Sequence, residues 1–380
     1  MTLLMTEGWR GSTPGSSANG TSVGGAAALK GWGVANPGVW PQMTNPSGTT
    51  TMKVSSGGNS TVTGGFVYGP RNTDATAYIP NTFIIGYRAT YSGLGAGGSI
   101  GYFLDTMPVS YFTVYDLTGS VHLIVTATGT QWNVVRSWSP GTVLGTTSGT
   151  PAPADGAEHY YEWKITIHPS AGVVILRVDG TQVLNLSGVN TQGGTNLNVG
   201  GFNWRSSSTG SITLSDIVLM DTTGSTNNDF LGDVHVETKL PTSDGTYTAF
   251  TPSTGSSHYT LVDEVPFNGD TDYVSATTLG IKDSYGHESM ISTGTVKGVA
   301  VYAVGSLTDS GSRQGNVFIR SGSSESAGPS VYLPQSNYSL LAGQAPLGKT
   351  SLMRGLYDTA PGGSGWMTST VNASEFGVAS

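Results

Sequence analysis

The chain has 380 residues and a formal net charge of −8, from 24 acidic and 16 basic residues. Its Lys and Arg are nowhere clustered, which excludes the basic face that nucleic acid needs. The absence of cysteine excludes disulfides and thiolate metal sites, and no run of about 18 apolar residues offers a membrane span.

Glycine, at 56 residues, is about twice as frequent as usual, and charged residues, at 11%, are less than half as frequent. Long solvent-facing helices depend on Glu, Lys and Arg, so they are disfavoured. Recurrent Val, Ile, Thr and aromatics instead point to an all-β chain with many glycine-rich turns. Its length allows two or three domains, each with its own core.

The opening "MTLLMTEGWRGS" has no basic n-region, and Glu7 and Arg10 interrupt any apolar core, so no secretory signal is expected. Residues 1–65 are rich in Gly, Ser, Thr and Ala but are punctuated by Trp9, Trp32 and Trp40. Irregular strands packed on the rest of the chain are expected there. From residue 66 onward, strand-like runs alternate with turn signals: "NTFIIGYRATY", "SIGYFLDT", "SYFTVYDLTG", "SVHLIVTATG" and "QWNVVRSWSP". Short strands at this spacing predict a sandwich or barrel.

The clearest pattern is residues 160–186, "YYEWKITIHPSAGVVILRVDGTQVLNL". Tyr161, Trp163, Ile165 and Ile167 alternate with Glu162, Lys164, Thr166 and His168, which predicts one buried and one exposed face. Asp179-Gly180 suits a type I′ turn, so a three-strand antiparallel meander is expected. In "SITLSDIVLMD" the apolar phase slips from Ile212 and Leu214 to Ile217 and Leu219, which predicts a β-bulge near Ser215 and Asp216. A boundary near residue 226 gives two β-sandwich domains, 1–226 and 227–380. Strands of the second are expected at "FLGDVHVETKLP", "YTLVDEV", "VKGVAVYAVGSL", "GNVFIRSGSS" and "TVNASEFGVAS".

The order of "YYEWKITIHPSAGVVILRVDGTQVLNLSGVNTQ", "SDIVLMDTTG", "NNDFLGDVHVETKLP", "LVDEVPFNGDTDYV", "VKGVAVYAVGSLTDSGS" and "GWMTSTVNASEFGV" resembles a recurrent group of tailed-bacteriophage virion proteins. Those proteins are similar to LamG and concanavalin A-like domains. The resemblance covers roughly residues 155–380; the N-terminal third adds little beyond "LLMTEGW". It implies that the first domain is a concanavalin A-like jelly roll and that the chain is a particle component, and it implies no particular ligand.

Asp233, His235 and Glu237 stand at alternate positions, so on a strand they share a face. Retaining glycosidases of the concanavalin A-like class need paired carboxyls about 5 Å apart, and their Glu-x-Asp-x-Glu spacing is matched here with histidine at the centre. Such a triplet is either catalytic or the wet side of a strand at a domain contact, and the broken motif favours the second. Asp270 and Asp272, with Asn268, carry oxygens that suit a hard cation. The glycine and distal Glu of an EF-hand are missing, so a side-chain-stabilised turn is the simpler reading. The histidines at 122, 159, 168, 235, 258 and 287 include no metal-ligand spacing, and a polar strand face accounts for His122 and His168. Trp132, Trp138 and Trp204 lie in or beside polar turns, where they would stack on a sugar or anchor an interface.

The expected protein is therefore a non-enzymatic bacteriophage virion structural protein on the outside of the capsid or tail, with no cofactor and no metal. A receptor-binding adhesin for host surface glycan is the alternative, and a glycan depolymerase a more distant one. Expected partners are other virion proteins and further copies of the chain, with a trimer favoured; neither nucleic acid nor membrane is expected. The expected location is the virion, after synthesis in the host cytoplasm.

Overall fold

A computed structural model describes residues 3–7, 32–34, 41–44, 51–55, 65–68, 79–92, 112–116, 121–128, 131–137, 141–147, 155–205, 211–264, 271–308, 313–333 and 350–380. The "SIGYFLDT" strand, Trp138 and Asp270 lie outside these residues, and so do the side chains of Trp9, Trp32, Trp40 and Trp204.

The first strands are β1 (Leu3–Glu7), β2 (Trp32–Val34), β3 (Pro41–Thr44), β4 (Thr51–Ser55) and β5 (Gly65–Tyr68). Next come β6 (Thr82–Ser92), β7 (Phe112–Asp116), β8 (Val121–Thr128), β9 (Gln131–Arg136) and β10 (Thr142–Thr146). The predicted meander follows as β11 (Glu158–Thr166), β12 (Gly172–Val178) and β13 (Thr181–Val189), then β14 (Val199–Arg205) and β15 (Ser211–Asp221). One sheet runs β13-β12-β11-β6-β15-β4-β3 with β1 also on β15, and a second runs β10-β9-β8-β7-β14-β5-β2. The short N-terminal strands join both sheets, β1, β3 and β4 the first and β2 and β5 the second.

The two sheets pack face to face. Tyr87, Tyr161, Trp163, Ile165, Val174, Leu176 and Leu219 from the first meet Val114, Leu123, Val125, Trp132, Val134 and Phe202 from the second in one buried cluster. This is an all-β sandwich, and the alternation in residues 161–167 points its apolar side chains inward as expected. Asp179 (φ 48°) and Gly180 (φ 78°) both take positive φ, as a type I′ turn requires. The bulge also stands where the phase slip puts it. The β15–β6 register shifts between Ser215 and Val218, and Asp216 takes φ 52°.

The opposite face of the meander departs from expectation. Glu162 is 1% exposed, not solvated. The outer face of the first sheet is covered by Phe230, Leu231, Val234, Val236 and Leu356, which pack on Ile84, Val218 and Met220.

Beyond residue 240 lie β16 (Pro241–Thr248), β17 (Thr251–Pro252), β18 (Val274–Ser275), β19 (Lys282–His287), β20 (Val299–Ser306) and β21 (Arg313–Ser321). The remaining elements are β22 (Ser324–Ala327), β23 (Val331–Leu333), β24 (Thr350–Tyr357), the single-turn helix α1 (Thr368–Asn372) and β25 (Ser374–Ala379). A sheet runs β16-β19-β25-β21-β22 with β23 on β21, and a β20–β24 ribbon packs across it through Val301, Val317, Ile319, Met353 and Tyr357. The expected strands near 299–306 and 313–321 are present, and residues 370–380 divide between α1 and β25.

Two expected strands are not formed. Residues 230–240 join no ladder, because carboxylates take up their amides: Leu231 and Gly232 donate to Glu162, and Val236 donates to Asp216. Within "YTLVDEV", Tyr259–Leu261 forms a 3-10 turn, whose first amide donates to Asp244 Oδ1 at 2.7 Å. No helix among the described residues is long and apolar enough to cross a membrane.

Candidate functional site

The segment 227–240 keeps the predicted alternation although it is not a strand. Val234 and Val236 pack on the outer face of the first sheet, Asp233 and His235 reach Arg88 and Asp216 of that same sheet, and Glu237 turns to residues 291–292.

Arg88 on β6 collects three carboxylates around one guanidinium. Its Nε donates to Asp216 Oδ2 at 3.1 Å, its second terminal nitrogen pairs with Asp233, and the first lies 3.5 Å from Glu158 Oε1. The bulge makes this possible. By holding Asp216 in the left-handed region it buries that carboxylate at the sheet's outer face, where Oδ1 also accepts from the Val236 amide at 2.9 Å. His235 Nδ1 stands 3.3 Å from the other Asp216 oxygen, with about half its side chain exposed.

Glu237 lies apart from this cluster. It accepts from the amides of Ile291 (2.9 Å) and Ser292 (2.6 Å) and pairs with Lys239 at 2.7 Å. Burial raises its pKa, but the Lys239 and Ser292 contacts and the Ile291 amide outweigh it and hold the carboxyl down at about 2. A carboxylate so stabilised is a poor proton donor or acceptor near neutral pH. The structure thus brings Asp233 and His235 to one Arg88–Asp216 cluster and sends Glu237 to the 291–292 loop, so the triplet forms no paired-carboxyl site of the glycosidase kind.

Sequence reasoning missed the most buried acid of this junction. Glu162 Oε1 accepts from Leu231 (2.9 Å) and Gly232 (3.1 Å), while Oε2 is buried without a partner. Burial pushes its carboxyl up, and the two amides and Arg177 offset only part of this. Arg177, opposite Glu162 in the β11–β12 register, lies 4.1 Å from the centre of the Phe230 ring, and Lys164 pairs with Asp229 at 3.2 Å. The period-2 pattern marked Glu162 as outward, which is correct, but carried no sign that residues about 70 positions later cover that face.

Asp272 sits beside Glu264, whose carboxyl is pushed up by burial and then by the neighbouring Asp272 charge and hydrogen bond. Among the described residues, no group of three His, Asp or Glu side chains could hold a metal ion.

Trp132 is not an exposed platform. It is 3% exposed and packs edge-on against Tyr91 and Tyr161. His122 likewise is fully buried rather than on a polar face, its Nδ1 accepting from the Gly193 and Gly194 amides. His168 lies just past β11, where its Nδ1 accepts from Ser170 and Ala171 and closes the turn.

No family model and no curated protein matches the sequence. Among solved structures, the chain is similar to a carbohydrate esterase from Shiga toxin-encoding bacteriophage phi24B, at 14% identity over 51% of this chain and 92% of that one, with a TM-score of 0.34. It is similar to a botulinum neurotoxin serotype D/C binding domain at 8% identity, over 47% of this chain and 42% of that one, with a TM-score of 0.33. A third is the endo-β-1,4-glucuronan lyase of the fungus Trichoderma reesei, at 11% identity over 47% of this chain and 87% of that one, with a TM-score of 0.32.

Proposed function

We propose that this chain is a non-enzymatic structural protein of a tailed-bacteriophage virion, carried on the outside of the capsid or tail. The observation that carries this reading is the use made of residues 227–240. The acid-histidine-acid triplet spends its oxygens on Arg88, on Lys239 and on the backbone amides of Ile291 and Ser292. Groups bound in this way tie chain segments together, and the order of sequence motifs over residues 155–380 supports the virion assignment.

On this reading the domains are 1–226, a concanavalin A-like jelly roll with a Gly/Ser-rich N-terminal segment, and 227–380, a second β-sandwich. Their partners are other virion subunits and further copies of the chain, with a trimer favoured. With only 11% charged residues, and with exposed ion pairs each contributing about 0–1 kcal/mol, apolar contact is what would hold such an assembly in salt. Cryo-electron microscopy of the intact particle tests the reading. The expected result is density on the outer surface that fits these sheets; a particle lacking the chain, or holding it inside the capsid, overturns it.

A second reading, a receptor-binding adhesin for host surface glycan, is favoured by an open groove of mixed polarity beside Tyr247.

A further inference from the structure

Between residues 246–249 at the end of β16 and residues 280–282 at the start of β19 lies an open groove of about 460 Å³. An irregular strand creates it. The β16–β19 register shifts between Asp244 and Thr248, and the amides of Thr246 and Tyr247 leave the ladder for Glu375 Oε2 (2.9 Å) and Ser284 Oγ (3.0 Å). Gly245 permits this approach, since a Cβ there would sit 2.5 Å from Ser284 Oγ and 2.7 Å from Glu375 Oε2. Bulges of this kind re-aim side chains, and the one re-aimed here is Tyr247.

The charges around the Tyr247 ring are balanced. Its hydroxyl donates to Glu325 Oε1 at 2.7 Å, and Lys282 pairs with the other oxygen of the same carboxylate. Arg320 pairs with Glu375 at 3.2 Å, and Glu375 also accepts from the Thr246 hydroxyl at 2.7 Å. Lys282 Nζ is 5.4 Å and Arg320 Cζ 5.9 Å from the ring centre, and Phe318, 2% exposed, supports the ring edge-on. One aromatic ring at the edge of an open groove therefore stands among two cations and two carboxylates that sum to zero.

Each ligand class makes a different demand on this arrangement. An anion would have to compete with Glu325 and Glu375, and a cation with Lys282 and Arg320. An apolar ligand would strip water from these ion pairs and return no hydrogen bond, which is costly. A sugar hydroxyl both donates and accepts, so it can lie between an ammonium and a carboxylate without breaking either pair, while the apolar C–H face of a pyranose covers an aromatic ring. We propose that this groove binds a neutral pyranose sugar, with Tyr247 as the stacking platform and the Lys282–Glu325 pair at its edge as the hydroxyl partner, while Arg320–Glu375, whose carboxylate is filled by Thr246 and Ser284, holds the strand behind it. The adhesin reading bears only on where the sugar comes from, and placement of the chain in the particle is tested separately.

The test is saturation-transfer NMR and calorimetry on the full chain with the methyl pyranosides of glucose, galactose and mannose, and with N-acetylneuraminic acid as a charged comparator. At least one neutral pyranoside is expected to bind, Tyr247→Ala and Lys282→Met to weaken it by about tenfold or more, and Tyr247→Phe to retain most of the affinity. Circular dichroism of the variants should be unchanged, because the side chains replaced lie at the surface. Three outcomes overturn the proposal: no neutral pyranoside binds, binding survives both Tyr247→Ala and Lys282→Met, or N-acetylneuraminic acid binds more tightly than every neutral sugar.

Discussion

Replacing Glu162 probes the packing of residues 230–236 on the first sheet. Glu162→Ala removes the acceptor for the Leu231 and Gly232 amides, two part-buried donors. Each orphaned donor costs about 1–3 kcal/mol. Against this, the variant no longer buries a carboxylate with one unpartnered oxygen, so a net loss of about 2–4 kcal/mol is expected. Glu162→Gln keeps an acceptor for both amides and removes the charge, so at pH 7 its stability should lie within about 1 kcal/mol of the parent.

The pH dependence separates the two variants further. Burial raises the folded-state pKa of Glu162. Its contribution is therefore fully present below the ordinary carboxylate value and is lost as pH rises through the raised one. The parent should lose ground to Glu162→Gln between pH 4 and pH 7. Urea midpoints at several pH values, followed by near-UV circular dichroism, supply the measurement. A cost under about 0.5 kcal/mol for Glu162→Ala, or a parent-to-Gln difference that does not change with pH, would refute the buried staple.

Other perturbations follow from the same contacts. Trp163, 1% exposed and donating to the Tyr87 hydroxyl at 3.2 Å, should cost about 3–5 kcal/mol as Trp163→Ala, read from the urea midpoint; a surface-like loss would reverse the strand faces. Asp216→Ala leaves the Val236 amide without its acceptor, removes one of the three carboxylates around Arg88 and puts alanine at positive φ, and should cost about 2–4 kcal/mol, while Asp216→Asn, which tolerates positive φ, should cost less. His159 bridges Asp155 (3.0 Å) and Asp179 (2.6 Å); burial opposes its charge, but the two carboxylates raise its pKa above 6.5. Its stabilisation should be complete below pH 6.5 and lost as pH rises through the raised value, a dependence that His159→Gln should abolish and an imidazole NMR titration should locate. Because Glu237 is held down at about 2, its contribution should be present above the ordinary carboxylate value and lost as pH falls toward 2, and Glu237→Gln should flatten acid unfolding over that window.

Local chemistry was legible in the sequence and long-range cover was not. Alternation through Trp163, the Asp179-Gly180 turn and the phase slip at Asp216 each depend on neighbours a few positions away, and each appears in the structure as read. The apolar contacts of Val234 and Val236 were also legible, but the absence of a strand there was not, since its amides bond to Glu162 and Asp216, each set by a distant strand. Strands β16 and β19 gave little signal because their sequences, "PTSDGTYT" and "KDSYGH", are polar. The burial of Asp283 depends on His258, Tyr285 and the Phe250 amide, contacts only the folded sheet assembles. The same holds for the groove beside Tyr247, whose charges come from β19, β21, β22 and β25.

On the proposed reading, the Asp233-His235-Glu237 triplet joins chain segments and performs no glycan cleavage. Its most direct test is a reducing-end assay on host capsule and lipopolysaccharide with the parent chain and Glu237→Gln, run beside thermal unfolding of both. No release of reducing ends by either protein is expected, together with a lower unfolding temperature for Glu237→Gln, which loses its pairing with Lys239. Release by the parent that disappears in a Glu237→Gln variant of unchanged unfolding temperature would contradict that reading.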